Sequence, residues 1–341
     1  MLFLAALVAL HLPPVSSTAP NRQPQMAAAG NTVAMVFGSG EGIWLARSQD
    51  SGRSFDTPSK VAALPKMLLG RHRGPRVVFS GNSMIVSAIA SDPGDLVAWR
   101  STDGGRTWSA PLAINDKTQA AREGLHAMAA DADGHLAAVW LDDRGVKGKR
   151  LYGAFSDDSG RTWSRNAMLY ESPDGTICEC CDPSLAAIGR GEFVVMWRNK
   201  LGGSRDLYTM RLKDGKPAGA AARQGEGTWK LDACPMDGGG LAVRDGQIAS
   251  AWRREHDIYL AAPGKPEVKV GAGMDVAFGA NAKGFFVAWT TPTGIALHAP
   301  GAASASQVSA SGAFPTLAAM PDGGMLLAWE EKDGTIATLR L

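Results

Sequence analysis

The chain has 341 residues, 20% of them charged, and a formal net charge of +2. That balance supplies neither the broad basic field of a nucleic-acid binder nor an acidic tail. The length permits two domains, but the even repeats that follow favour one closed unit with an ample core.

The chain opens with an apolar run over 2–10, halted by Pro13 and Pro14 and followed by small residues such as Val15 and Ser17. It reads as a secretory leader over 1–17, ahead of a single domain over 18–341 in the periplasm or outside the cell. The run is too short for a membrane span.

Beyond it, one pattern recurs: an apolar strand, a Gly or Asp turn, a second strand, a polar loop, and a third strand opening on an aliphatic residue. The second strands contain TVAMVF, SMIVSAI, HLAAVW, EFVVMW, QIASAW, FFVAW and MLLAW. The third begin at Ile43, Leu96, Leu151, Leu207, Ile258, Ile295 and Ile336. Period-2 alternation supports strands throughout. In five units the second strand ends on an equivalent tryptophan, Trp140, Trp197, Trp252, Trp289 and Trp329, which argues for packing. The last unit lacks a fourth strand, and the N-terminal segment is expected to supply it and close a ring.

The first three units carry a shared turn: SQDSGRSF at 48–55, STDGGRTW at 101–108 and SDDSGRTW at 156–163. Asp50, Asp103 and Asp158 are 53 and 55 residues apart, a period that marks a repeat architecture. An Asp that bonds its own turn, a Gly free to take positive φ and a terminal aromatic suit a tight hairpin. The motif resembles the Asp-box of sialidase-like β-propellers. The resemblance spans 30–341 and is to a bacterial type bearing CECC and ACPMDGGG loops. It implies an all-β propeller of four-stranded antiparallel blades; seven are counted here, against six in known sialidases.

In such a blade the Asp-boxes lie on one face, while the blade-to-blade crossings reach the axis on the other. Four unusual segments occupy those crossings: GRHRGPR (70–76), AREGLHAM (121–128), TICECCDP (176–183) and DACPMDGGG (232–240). They are expected to converge at the channel mouth, the default site. Arg73, Arg76, Arg122, Arg198 and Arg253 map to that face, with guanidinium forks suited to carboxylate or phosphate. His126 is the best-placed imidazole for ligand or proton work. By the family resemblance, Arg73 or Arg76 with Arg198 and Arg253 would grip the carboxylate of an anionic sugar, although Arg73-Gly74-Pro75-Arg76 replaces the expected Arg-Ile-Pro. Glycoside hydrolysis would also need a nucleophile and an acid/base pair. Glu123, Asp237 and Tyr259 are the weak candidates.

All four cysteines sit in two crossings. Two disulfides are one reading in an oxidising compartment. The sharper one is a soft-metal site of Cys178, Cys180, Cys181, Cys234 and Met236, suited to copper with zinc as the alternative. A redox-active Cys178–Cys181 pair is the third. The expected partner is an anionic small molecule, a sugar or a periplasmic protein, the last requiring only a braced interaction face.

Overall fold

A computed structural model describes residues 9–144 and 147–341; the first eight residues of the expected leader lie outside them. The alternating runs form seven antiparallel sheets, each running outward from an innermost strand. The innermost strands are Arg22–Ala29, Arg76–Ser80, His126–Ala130, Ser184–Gly189, Gly240–Arg244, Met274–Asn281 and Ala313–Ala319. Each packs on the next, and the seventh returns to the first, so the protein is a seven-bladed β-propeller. No helix occurs among the described residues.

The seventh blade is completed from the other end of the chain. Leu10–Leu12 pairs antiparallel with Ile336–Arg340, bringing Leu10 opposite Thr338 and Leu12 opposite Ile336. Asn21 secures the return: its amide donates to Gly334 O at 3.0 Å, and its buried side chain bonds Pro13 and Val15. Three of the paired residues therefore belong to the segment read as a leader.

The blades are held apart by their second strands, whose side chains enter the gaps on both sides. Trp140 and Trp197 are fully buried, and Trp252, Trp289 and Trp329 are each 2% exposed, as packing requires. The indole N–H finds local acceptors where they exist: Trp140 bonds Asp142 at 2.8 Å and Trp329 bonds Glu331 at 2.6 Å.

The three repeated turns join third to fourth strands through one shared network. In the first, Ser48 Oγ donates to Asp50 Oδ1 at 2.7 Å and accepts from Gly52 N at 2.8 Å. Asp50 then accepts from the amides of Arg53 and Ser54 and from Ser54 Oγ. Asp103 and Asp158 repeat this with Thr107 and Thr162. Donors aimed at a carboxylate favour its charged form, and Asp50 is held down at about 2, with Ser54 and Ser48 as the main causes.

Three innermost strands begin with a bulge at the channel mouth, where Gln23, Asp275 and Phe314 take positive φ of 54°, 56° and 51°. Each bulge turns its amide toward the preceding blade. Gln23 N donates to Glu330 at 2.6 Å, Asp275 N to Asp237 at 2.9 Å and Phe314 N to Thr290 at 3.0 Å.

Candidate functional site

The crossing loops meet at the channel mouth. Segments 176–183 and 232–240 lie against each other: Gly238 N donates to Asp182 Oδ1 at 3.1 Å, and Ser184 Oγ to Gly239 O at 2.6 Å. A Cβ on Gly238 would stand 1.9 Å from Asp182 O, so only glycine permits the approach. Arg73, on the crossing into the second blade, bonds the Glu123 carbonyl on the crossing into the third at 2.5 Å, and Lys149 bridges Glu123 and Asp143 at 3.1 and 2.8 Å.

The tight bend at 178–181 gathers three sulfur atoms. Cys178 Sγ lies 3.3 Å from Cys181 Sγ and 3.7 Å from Cys180 Sγ, all three within 4.8 Å of one another and buried. Met236 packs against them from the neighbouring loop, and Cys234, two residues before it, stands exposed. All four cysteines are unpaired in this structure. Thiols donated by Cys180 and Cys181, with Arg198 assisting against burial, pull Cys178 down to about 3. That anion pushes Cys180 up to about 12, and burial together with the same anion raises Cys181. Arg205 Nη1 approaches Cys178 Sγ at 3.5 Å. The cluster thus brings three buried sulfurs together, with the Arg205 guanidinium facing one of them.

A few residues away lies a second cluster. His72 Nε2 is 3.1 Å from Asp275 Oδ1, and its Nδ1 is 4.0 Å from Asp182 Oδ2. Burial opposes charge on the imidazole, but Asp182, Asp275 and Asp237 outweigh it and raise His72 to about 9. Asp237 is pushed upward by burial and by the other carboxylates, and its Oδ1 is buried without a partner. His72, Arg76 and Asp182 line a channel cavity of about 210 Å3 with Gln25, Ser184 and Thr316. Arg76 donates only to the carbonyls of His72, Gly74 and Pro75. His126 lies behind it, hydrogen-bonded to Ser87 at 2.9 Å, buried, and held neutral by burial and by Arg76.

The remaining arginines are not gathered around one ligand position. Arg198 is 1% exposed and donates to the carbonyls of Asp237, Arg205 and Arg253. A buried guanidinium must satisfy its N–H groups, and these carbonyls do so, making Arg198 a clamp between loops. Arg253 lies with Arg198 against the Trp229 ring, 5.3 and 5.2 Å from its centroid. Arg73 turns to Glu123, and Arg122, exposed, bonds Gln119. The channel thus receives Arg76 alone of the five.

The catalytic candidates are dispersed too. Tyr259 stacks on Trp252 at 6.2 Å and beneath Arg254 at 3.9 Å, within the fifth blade. Glu123 is engaged by Arg73 and Lys149. Only Asp237 adjoins the channel cluster. Asp182, Asp275, Arg205 and Trp229 were not singled out in the sequence, although Asp182 directly follows the CECC run. Asp131, Asp133 and His135 also stand close together, but Asp131 is occupied by the amides of Asp133, His135 and Gly191.

No family model matches the chain, and no curated protein matches it in sequence. Solved structures do match. An α-L-arabinanase from Penicillium chrysogenum, complexed with arabinobiose, is 12% identical, with a TM-score of 0.57 over 98% of this chain and 97% of that one. The six-bladed fucose-recognising lectin of Aleuria aurantia is 9% identical with a TM-score of 0.53, covering 96% and 93%. A Hadza microbial sialidase is 15% identical with a TM-score of 0.52, covering 92% and 74%. These likenesses establish the propeller fold.

Proposed function

We propose that this protein is a binding propeller that holds a soft metal ion at the channel mouth through Cys178, Cys180 and Cys181, with Met236 completing the donor set. The observation that carries the reading is the convergence of three buried sulfurs within 4.8 Å of one another. Thiolate and thioether donors suit copper(I), and zinc is the alternative. Arg205, 3.5 Å from Cys178 Sγ, offsets part of the charge that bound thiolates would carry. The leader read from the sequence makes an exported protein part of this proposal. Elemental analysis of protein purified without chelators, with thiols counted on the same sample, is expected to find near-stoichiometric copper or zinc. A triple Cys178→Ser, Cys180→Ser, Cys181→Ser variant that retains the same metal content overturns the reading.

A second reading, an anionic sugar held in the channel, is favoured by Arg76, which lines the cavity and whose hydrogen bonds reach no carboxylate. The arabinobiose-bound arabinanase and the fucose-recognising lectin add support by likeness of fold. Glycan-array binding that Arg76→Gln abolishes would support it. Sialidase-type hydrolysis is the alternative within this reading, checked by cleavage of a fluorogenic sialoside.

A further inference from the structure

We infer that Cys234 is the docking sulfur of the thiolate site, the ligand that first receives a soft metal ion from a partner presenting thiolate or thioether donors, and that the ion then passes inward to Cys178, Cys180 and Cys181. The inference rests on the metal reading above. Its basis is a gradient of exposure along one path. Cys178 and Cys181 are each 1% exposed and Cys180 is 8% exposed, whereas Cys234 is open to solvent. The three inner sulfurs are beyond the reach of another protein's donors; Cys234 is not.

Cys234 shares a loop with a residue that touches the inner set. Two residues on, Met236 adopts a φ of 58° and lays its thioether against the three inner cysteines. A non-glycine residue in that region persists only where its surroundings impose it. Here Asp237, buried and bonded to Asp275 N, anchors the next position. Cys180, 8% exposed against 1% for Cys178 and Cys181, is the outermost of the inner three and so the natural next ligand. An exposed cysteine with no structural partner is otherwise a liability to oxidation and cross-linking.

The transfer is a ligand exchange in which copper stays copper(I) and no electron moves. A bond from Cys234 sulfur to the ion forms, one donor bond to the partner breaks, and the Cys234 proton goes to solvent. Repetition of that exchange at Cys180 and then at Cys178 or Cys181 carries the ion inward, each new sulfur displacing one outer donor and losing any proton it holds.

The test is anaerobic transfer of copper(I) from its bicinchoninate complex to full-length reduced protein, followed by loss of the complex's colour. Wild type is expected to take up copper, and Cys234→Ser to reach the same stoichiometry roughly tenfold more slowly, the change that a barrier about 1.4 kcal/mol higher gives. Selective alkylation of the exposed thiol in wild-type protein should slow uptake equally, which guards against misfolding of the variant. If wild type takes up no copper, the metal reading itself fails. If wild type takes it up and Cys234→Ser matches its rate, or loses binding altogether, the docking role fails while the metal site stands.

Discussion

His72 and Asp275 join across the channel: an imidazole on the loop before the second blade meets, at 3.1 Å, a carboxylate on the innermost strand of the sixth. The two residues are 203 apart in sequence, and neither blade neighbours the other in the ring. This contact ties opposite sides of the mouth and gathers Asp182 and Asp237 around one charged group.

His72→Gln is expected to destabilise the fold by about 1–3 kcal/mol near pH 6, the usual cost of stranding buried polar partners. The pH dependence has a definite sign. A histidine raised to about 9 contributes stability that is complete below its unfolded value of 6.5 and is lost as pH rises through 9. Urea titrations of wild type and variant at pH 6 and pH 10 should therefore converge at the higher pH. A gap that stays constant would show that His72 acts by packing alone.

The Asp-containing turns behave in the opposite sense. Asp50 titrates at about 2 when folded, so its contribution is present above the ordinary carboxylate range and is lost as pH falls toward that value. Asp50→Asn should lower the melting temperature at pH 7, and the difference should shrink between pH 4 and roughly pH 2, where wild-type Asp50 also loses its charge.

Trp197 fills the space between the third and fourth blades, with Tyr170 and Tyr208 at 4.7 and 6.2 Å. Trp197→Ala should cost about 3–5 kcal/mol, as large-to-small core substitutions do. Chemical denaturation would reveal it as a shifted midpoint with an unchanged slope.

A chain beginning at Thr18 lacks Leu10–Leu12 and so leaves Ile336–Arg340 as a bare sheet edge. Its melting temperature should fall below that of the chain carrying the segment. Equal melting temperatures would mean that the strand adds nothing to closure.

Much of the fold was legible because each blade writes the same physical pattern. Second strands were found from their apolar alternation, and every third strand lies where its leading aliphatic residue pointed. The convergence of the crossing loops followed from blade topology. The site was less legible, because buried polar groups are paired by three-dimensional proximity. Arg198 reads in sequence as a guanidinium free for a ligand; only the folded loops bring three carbonyls to it. Tyr259 carries the right functional group, yet its strand position commits the ring to Trp252. The Asp182–His72–Asp275 cluster draws on three distant blades and leaves no local signature. The sulfurs were visible because the bend that joins them is only a few residues long.

The bulged amides at the channel mouth have a bearing on how the ring assembles. Seven blades of similar shape invite closure in the wrong order, with one sheet taking its neighbour's place. Gln23 meets a glutamate, Asp275 an aspartate and Phe314 a threonine, each supplied by the blade before it. A misplaced blade would strand a buried carboxylate or an unanswered N–H, a penalty of the kind that rejects wrong partners in specific interfaces. Three of the seven seams are thus chemically distinct from one another, and each accepts only its own blade without leaving a polar group unanswered.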